Sequence, residues 1–242
     1  MHVPSYPIFL SLEEQNILIA GFGRVGMRKL AMLLPCRPGH VHIVDPFPPS
    51  AEGKRLLERA RQEHVPCSFS QRNPHDADLD GMDLVFLAGS DHELNAHLAS
   101  LCRERHILCN CADNPSLGSF HVPAVARTPS LAAALSTERA SPALARRWKE
   151  ELCAFLEPKE AMAQLMGGLR PLILAQNLPS DQNAKLFRAL AASGLEQALA
   201  SNDTGMAGHI LVSLLPPSLH ERALALVDST GPGQPESHNQ DA

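Results

Sequence analysis

The sequence predicts an α/β protein whose first half is a doubly wound, parallel sheet, followed by a β-hairpin with a helix and then a small helical domain. Short apolar runs alternate with amphipathic stretches through the first half of the chain, in the βαβαβ rhythm of a parallel sheet. A glycine-rich segment directly follows the first of these runs. After residue 159 the chain is rich in alanine and leucine, which favours helices.

The predicted strands are short, continuous apolar runs, as expected of strands that are buried on both faces. The first covers residues 16–20 (NILIA), and the others cover residues 41–44, 65–69, 83–88 and 107–112. The helices between them are predicted at residues 24–34, 52–63 and 92–105. Pro35 ends the first helix, because proline cannot supply the backbone N–H that a continuing helix needs.

A different pattern begins after the fifth strand. Residues 120–126 and 131–136 flank a four-residue turn that contains Pro129, and this spacing predicts an antiparallel hairpin. Ser141 suits the N-cap of a helix, and Pro142 follows it at the first helical position. A helix is therefore predicted from residue 142 to about residue 156.

The last third is predicted to be helical, with breaks at its prolines. These are Pro171, Pro179 and the Pro216–Pro217 pair. The tail from residue 229 is polar, contains several glycines and prolines, and is predicted to be disordered.

Composition excludes several classes of function. The 242 residues are 44% hydrophobic and 19% charged, typical of a soluble globular protein, and the net charge of −5 gives no general attraction to nucleic acid or anionic lipid. No apolar run approaches the roughly 20 residues of a membrane span, and no secretory signal pattern begins the chain. Six scattered cysteines indicate reduced thiols in a cytoplasmic protein.

The glycine-rich segment predicts a phosphate-binding turn. It consists of Gly21, Phe22, Gly23, Arg24, Val25 and Gly26. Gly21 allows a tight turn, Gly23 lets the backbone approach a pyrophosphate, and Gly26 lets the helix pack closely on the sheet. Asp45 ends the second strand, where a carboxylate accepts hydrogen bonds from a ribose and repels an additional phosphate. A Rossmann-type domain that binds NAD rather than NADP is therefore favoured over a purely structural turn.

Polar side chains at the carboxyl end of the fifth strand predict a reactive site, because ligands of open α/β sheets bind at that edge. Asp113 is placed to accept a proton, although an aspartate before Asn-Pro can also serve only the turn. Cys109 and Cys111 share one face of the strand, but further ligands at zinc spacing are missing, so buried thiols are favoured and no metal site is predicted. His92 and His121 lie near the same edge and are not assigned a catalytic role.

Five segments resemble the precorrin-2 dehydrogenase/sirohydrochlorin ferrochelatase family, the N-terminal module of siroheme synthase. In chain order, within residues 5–156, they are YPIFLSL, GFGRVGMRK, GSDHELN, CNCADNPSLGSFHVPA and LSTERASPALARRWKEEL. The resemblance implies NAD-dependent oxidation of precorrin-2 to sirohydrochlorin in a homodimer. In some members the same site also inserts a ferrous or cobalt ion. We expect Ser90, in the third segment, to contact the cofactor.

The resemblance also implies roles and boundaries along the chain. The functional aspartate is Asp113, and substrate contacts fall on Asn110, Ser136, Thr137 and Ser141. The expected domains are an NAD-binding domain (1–113), a dimerisation segment (114–157), a helical domain (158–228) and the tail (229–242).

One departure from the family lies in the substrate loop. The usual pair of glycines is replaced by Glu138 and Arg139, whose side chains occupy a turn where the backbone would otherwise approach the ligand. Arg28 and Lys29, on the first helix, are predicted to form a solvated basic face rather than to attract an acidic ligand.

Two other functions remain compatible with the sequence. The glycine turn also resembles the nucleotide-sensing domains of potassium transporters and channels, which would not need the CNxxDxP and STxxSP segments. A tetrapyrrole-binding chaperone with a degenerate active site is consistent with the altered loop.

Overall fold

The protein divides into two compact units. The computed structural model describes residues 4–138 and 140–229, and the units are Met1–Val122 and Pro123–Ala242. Arg139 and the predicted tail from residue 230 onward lie outside the described residues. The finer domain boundaries at residues 113 and 157 stay a prediction.

The first unit contains the predicted parallel sheet. Its strands are β1 (Asn16–Ala20), β2 (His40–Asp45), β3 (Cys67–Gln71), β4 (Leu84–Leu87) and β5 (Leu108–Cys111). They lie in the order β3-β2-β1-β4-β5, and every neighbouring pair is parallel. The helices that connect them are α1 (Arg24–Leu33), α2 (Ala51–Gln62) and α3 (His92–Glu104). The predicted doubly wound fold is confirmed.

Alternation along β1 explains why the sheet is buried on both faces. Ile17 and Ile19 belong to one core cluster, whereas Leu18 belongs to the other, and all three side chains are fully buried. Truncating such a residue to alanine lowers the free energy of unfolding by about 2–5 kcal/mol. Because its side chains pack into both clusters, β1 stabilises the helices on both faces of the sheet.

Strand order places a crevice beside β1. The chain runs outward from β1 through β2 to β3 and then returns to form β4 on the other side of β1. Ala20 is in register with Val44 on one side and with Leu87 on the other, so the three strands end level. The direction of the strand order reverses at this switch point, which is where open α/β sheets bind ligands.

The third strand begins two residues later than predicted. The backbone N–H of Val65 donates to the carbonyl oxygen of Ala60 at 2.9 Å, so Val65 closes the end of α2. Its apolar side chain is buried and resembles that of a strand residue, but the sheet starts at Cys67.

The second unit begins with a hairpin and continues as helices. Strands β6 (Ala124–Arg127) and β7 (Ala132–Leu135) are antiparallel, as predicted. Arg127 belongs to β6 rather than to the turn, which is closed by the N–H of Thr128 donating to Leu131 O at 2.9 Å. The helices are α4 (Pro142–Leu156), α5 (Glu160–Leu174), α6 (Ser180–Ala191), α7 (Leu195–Ala200), α8 (Thr204–Leu214) and α9 (His220–Ser229). Of the helices described, none has the length and apolar character to span a membrane.

The predicted break at Pro171 is wrong, because Pro171 lies inside α5. Proline leaves the carbonyl four residues earlier without its helical partner, and that carbonyl belongs to Gly167. Both residues are exposed, so water can satisfy the carbonyl oxygen, and the glycine has no side chain to crowd the ring. The predicted breaks at Pro179 and Pro216–Pro217 are confirmed, because each precedes a new helical segment.

Candidate active site

The turn after β1 has room for only glycine at two positions. Gly21 has φ of +97°, and a Cβ there would lie 2.4 Å from the backbone nitrogen of Gly89. A Cβ on Gly26 would lie 2.0 Å from the carbonyl oxygen of Gly21. A Cβ on Gly23, in contrast, would meet nothing within 4 Å. The turn is therefore held tightly against the β4 loop and is open on the side where a pyrophosphate would lie.

The start of α1 suits an anion. Gly23 is its N-cap and supplies no side-chain cap, and the first turn contains no acidic residue. The first N–H groups of the helix, from Arg24 and Val25 onward, thus have neither an intrahelical acceptor nor a competing carboxylate. Together with the open space at Gly23, these donors fit the pyrophosphate of a dinucleotide.

Asp45 is tied to the turn. Its Oδ2 accepts from the backbone N–H of Phe22 at 2.5 Å, and its Oδ1 accepts from the N–H of Phe47 at 2.8 Å. Each carboxylate oxygen has a second lone pair, so the group can still accept from a ribose hydroxyl. The sequence predicted the ribose role; the structure adds that Asp45 links the turn to the end of β2.

The loop between β4 and α3 lies against the turn. Ser90 is exposed in this loop, and its predicted contact with the cofactor stays a prediction. Asp91 caps α3 by accepting from the N–H of Leu94 at 3.0 Å, and Asn95 Nδ2 donates to the carbonyl of Gly89 at 3.0 Å. These two bonds fix the first turn of α3 at the carboxyl edge of the sheet.

Asp113 lies at the same edge, two residues after β5, and accepts hydrogen bonds from several donors. Cys111 Sγ donates to Oδ1 at 2.9 Å, His92 Nδ1 is hydrogen-bonded to Oδ2, and Asn95 also bonds the carboxylate. Partial burial raises the pKa of Asp113, but the bonds from Cys111, His92 and Asn95 outweigh it and lower the pKa to about 2. The carboxylate is therefore ionised at neutral pH.

The comparisons with known proteins agree with this geometry. Residues 8–124 match the family model described as "Putative NAD(P)-binding". Siroheme synthase of Thioalkalivibrio sulfidiphilus is 28% identical over 236 residues, which are 96% of this chain and 47% of that protein. Siroheme synthase 1 of Aeromonas salmonicida is 29% identical over 231 residues, which are 95% of this chain and 48% of that protein. Over nearly its whole length the chain is therefore similar to siroheme synthases.

The chain spans about half the length of the curated relatives that it matches. A solved structure described as "SirC, precorrin-2 dehydrogenase" shares the fold, with a TM-score of 0.61 and 20% identity over 93% of this chain and 100% of that one. The predicted fold is confirmed, and the family model agrees with the predicted class of cofactor, a nicotinamide dinucleotide.

The sequence analysis missed two partners of Asp113. His92 was placed near the same edge without a catalytic role, and its bond to Asp113, 21 residues along the chain, was not predicted. The signal that could have found it is the N-cap at Asp91, which puts residue 92 in the first turn of α3 beside the strand ends. Burial and the neighbouring Asp113 raise the pKa of Cys111 to about 11, so this thiol stays protonated and serves as a donor.

The other strand cysteine, Cys109, is buried, and its hydrogen bond with Cys102 and its burial raise its pKa further. Among the residues that the structure describes, no group of three or more His, Cys, Asp or Glu side chains is placed to hold a metal ion.

Asn110 supports a neighbouring segment. It is only 8% exposed, and its Nδ2 donates to the carbonyl of Phe120 at 3.1 Å. The same segment is held by Cys109, whose N–H donates to Ser119 Oγ at 2.9 Å. The predicted substrate contact of Asn110 stays a prediction, and the structure assigns the amide a supporting contact.

The predicted solvated face on α1 is wrong for Lys29. Arg28 is exposed, but Lys29 is 9% exposed and its Nζ lies 5.4 Å from the ring centroid of Phe86. Burial, with a smaller effect of Arg28, lowers the pKa of Lys29. Residue 29 follows Gly26 and precedes Leu33 at helical spacing, so it lies on the side of α1 that faces the sheet.

The hydroxyl-rich loop lies in the second unit. Thr137 Oγ1 accepts from the N–H of Ser141 at 3.3 Å and donates to its carbonyl at 3.2 Å. Ser136 Oγ accepts from the N–H of Glu138 at 3.0 Å, and Ser141 Oγ caps α4. The loop thus brings the three predicted hydroxyl residues together, and their contact with substrate stays a prediction.

Glu138 in this loop has φ of +49°, a left-handed conformation that glycine adopts without strain. This is where the family's first glycine is replaced. The second replacement, Arg139, is outside the described residues.

Proposed function

We propose that the protein oxidises precorrin-2 to sirohydrochlorin with NAD, as a cytoplasmic step of siroheme biosynthesis. The observation that carries the proposal is the placement of Asp113 and the glycine turn on the two sides of β4, at one edge of one sheet. Its relatives named siroheme synthase and the neighbour named precorrin-2 dehydrogenase support the choice of substrate.

The residues divide the work in the following way. NAD, when bound, supplies the hydride acceptor. The open side of Gly23 and the free N–H groups of α1 hold the pyrophosphate, and Asp45 holds the ribose. Oxidation of a tetrapyrrole also releases a proton. The negative charge of the Asp113 carboxylate stabilises the positive charge that forms when a group in the crevice takes up this proton.

A preference for NAD over NADP follows from Asp45. The two backbone N–H groups that it accepts hold the carboxylate at the end of β2, so it cannot swing away from an additional phosphate. A fixed negative charge beside a phosphate is repulsive.

We also propose, as a second activity of the same site, the insertion of a ferrous or cobalt ion. Pyrrole N–H groups must lose their protons when a metal enters the macrocycle, and the negative charge of the ionised Asp113 carboxylate favours this release. The metal ion is then a substrate of the reaction.

We also propose a homodimer formed through residues 114–157. Helix α4 exposes large apolar side chains at Leu144, Trp148 and Phe155, which are 40%, 39% and 57% exposed. A second copy of the chain would remove these surfaces from water. Light scattering at micromolar concentration tests this, and a monomeric mass would contradict it.

The experiment for the main proposal is incubation of the purified protein with precorrin-2 and NAD while the absorbance of sirohydrochlorin and of reduced nicotinamide is followed. Turnover supports the enzyme. Tight NAD binding without turnover would favour the sensor or the chaperone instead.

A further inference from the structure

His92 and Asp113 form a pair with a defined orientation. His92 is the first residue of α3, and its Nδ1 is bonded to Oδ2 of Asp113. An ionised carboxylate can only accept, so Nδ1 carries the hydrogen and Nε2 is the acceptor of the neutral ring. The His92 side chain is 78% exposed, and no described residue hydrogen-bonds to its Nε2. Nε2 is therefore an exposed ring nitrogen that can accept a proton at this edge of the sheet.

Asp113 itself is a poor proton acceptor at neutral pH. Its side chain is 19% exposed, and three donors occupy its oxygens. Its pKa is lowered to about 2, against its own burial, by Cys111, His92 and Asn95. An efficient general base has a pKa close to the operating pH, which imidazoles satisfy and this carboxylate does not.

We propose that Nε2 of His92 accepts the proton released in precorrin-2 oxidation, and that Asp113 is the positioning residue that holds the opposite ring nitrogen. This inference rests on the proposed function and deepens it. Cys111 extends the arrangement, because its thiol donates to Oδ1 and leaves Oδ2 facing the imidazole.

The step balances with NAD as the oxidant. The substrate loses a hydride, with both electrons of one C–H bond, to the nicotinamide. The bond to a second hydrogen breaks, its electron pair forms the new double bond of the macrocycle, and the proton goes to Nε2. The imidazolium, stabilised by the Asp113 carboxylate, later releases this proton to water.

The protein contains a matched control on the same helix. His97 Nε2 is bonded to Asp76 Oδ1 at 2.8 Å, and the two side chains are 53% and 57% exposed. This pair also joins an imidazole to a carboxylate, but without the three donors that surround Asp113. His97 lies five residues after His92 on α3. His97→Gln therefore removes a second exposed imidazole that is also paired with an aspartate.

The test compares unsubstituted protein, His92→Gln and His97→Gln with precorrin-2 and NAD. We expect kcat to fall about 100-fold to 10,000-fold in His92→Gln, with unchanged NAD affinity and Tm, and to stay within about twofold in His97→Gln. Added imidazole should restore part of the rate in His92→Ala. A His92→Gln rate within threefold of normal would overturn the assignment.

Rescue of His92→Ala by imidazole is the second readout, because a free base cannot restore a purely structural loss at residue 92. If the unsubstituted protein gives no turnover, the proposed function itself fails.

Discussion

Replacing Asp113 with alanine tests the proton-handling half of the site. The substitution removes the acceptor of three donors and frees the imidazole of His92 to rotate. Proton transfer by a positioned group contributes about 100-fold to 10,000-fold in rate, which is about 2.7 to 5.4 kcal/mol of activation free energy at 1.36 kcal/mol per factor of ten. We expect the dehydrogenase rate of Asp113→Ala to fall within this range, and any chelatase rate to fall with it.

The cofactor site should survive the change, because the glycine turn follows β1 and Asp45 ends β2. The assay is single-turnover formation of sirohydrochlorin at saturating NAD, with NAD affinity from calorimetry and Tm from thermal unfolding. Asp113→Asn keeps the volume and removes the charge, and Asp76→Ala removes the carboxylate that pairs with His97. If Asp113→Ala and Asp113→Asn both turn over at nearly normal rates, Asp113 is only a turn residue and the reasoning is refuted.

Four further outcomes follow from the structure. Asp45→Asn should reduce the ratio of NAD to NADP affinity about 10-fold or more, the value of a hydrogen bond to a charged group; equal binding of both by the unsubstituted protein would contradict this role. Gly23→Asp should abolish NAD binding without loss of Tm, because its Cβ meets open space and only the pyrophosphate position is filled; retained binding in calorimetry would be against it. Glu138→Gly should raise the free energy of unfolding by up to about 1 kcal/mol by relieving a left-handed conformation; a lower Tm would show that the glutamate side chain contributes more than the strain costs. The stabilisation from the lowered pKa of Asp113 should be present above about pH 4 and disappear as the pH falls through about 2, so the stability difference between the unsubstituted protein and Asp113→Asn should shrink over that interval in denaturant titrations.

The sheet could be predicted because its signals are local. A strand such as β1 is a continuous apolar run, and the glycines after it are required by close backbone contacts that only glycine permits. The same holds for the hairpin, where turn residues separate two short runs. These features depend on neighbours within a few positions, which a single sequence displays.

The geometry of the candidate active site could be predicted only in part. The positions of Asp113 and Asp45 could be predicted, because parallel strands end at a common edge. The imidazole of His92 and the thiol of Cys111 were missed as partners of Asp113, because the tertiary fold brings His92 to a residue 21 positions away. Lys29 was misplaced because a long side chain can bury its stem and set its ammonium group over an aromatic ring. Pro171 was misjudged because an exposed glycine four residues earlier makes the lost hydrogen bond inexpensive.

The central claim is that one edge of one sheet holds the dinucleotide and handles the proton of precorrin-2 oxidation. The most direct measurement is the stoichiometry of a single turnover with purified protein, precorrin-2 and NAD, with Gly23→Asp as the matched variant. We expect one reduced nicotinamide for each sirohydrochlorin formed by the unsubstituted protein, and neither product from Gly23→Asp. Sirohydrochlorin formed without reduced nicotinamide, or formed at the normal rate by Gly23→Asp, would contradict it.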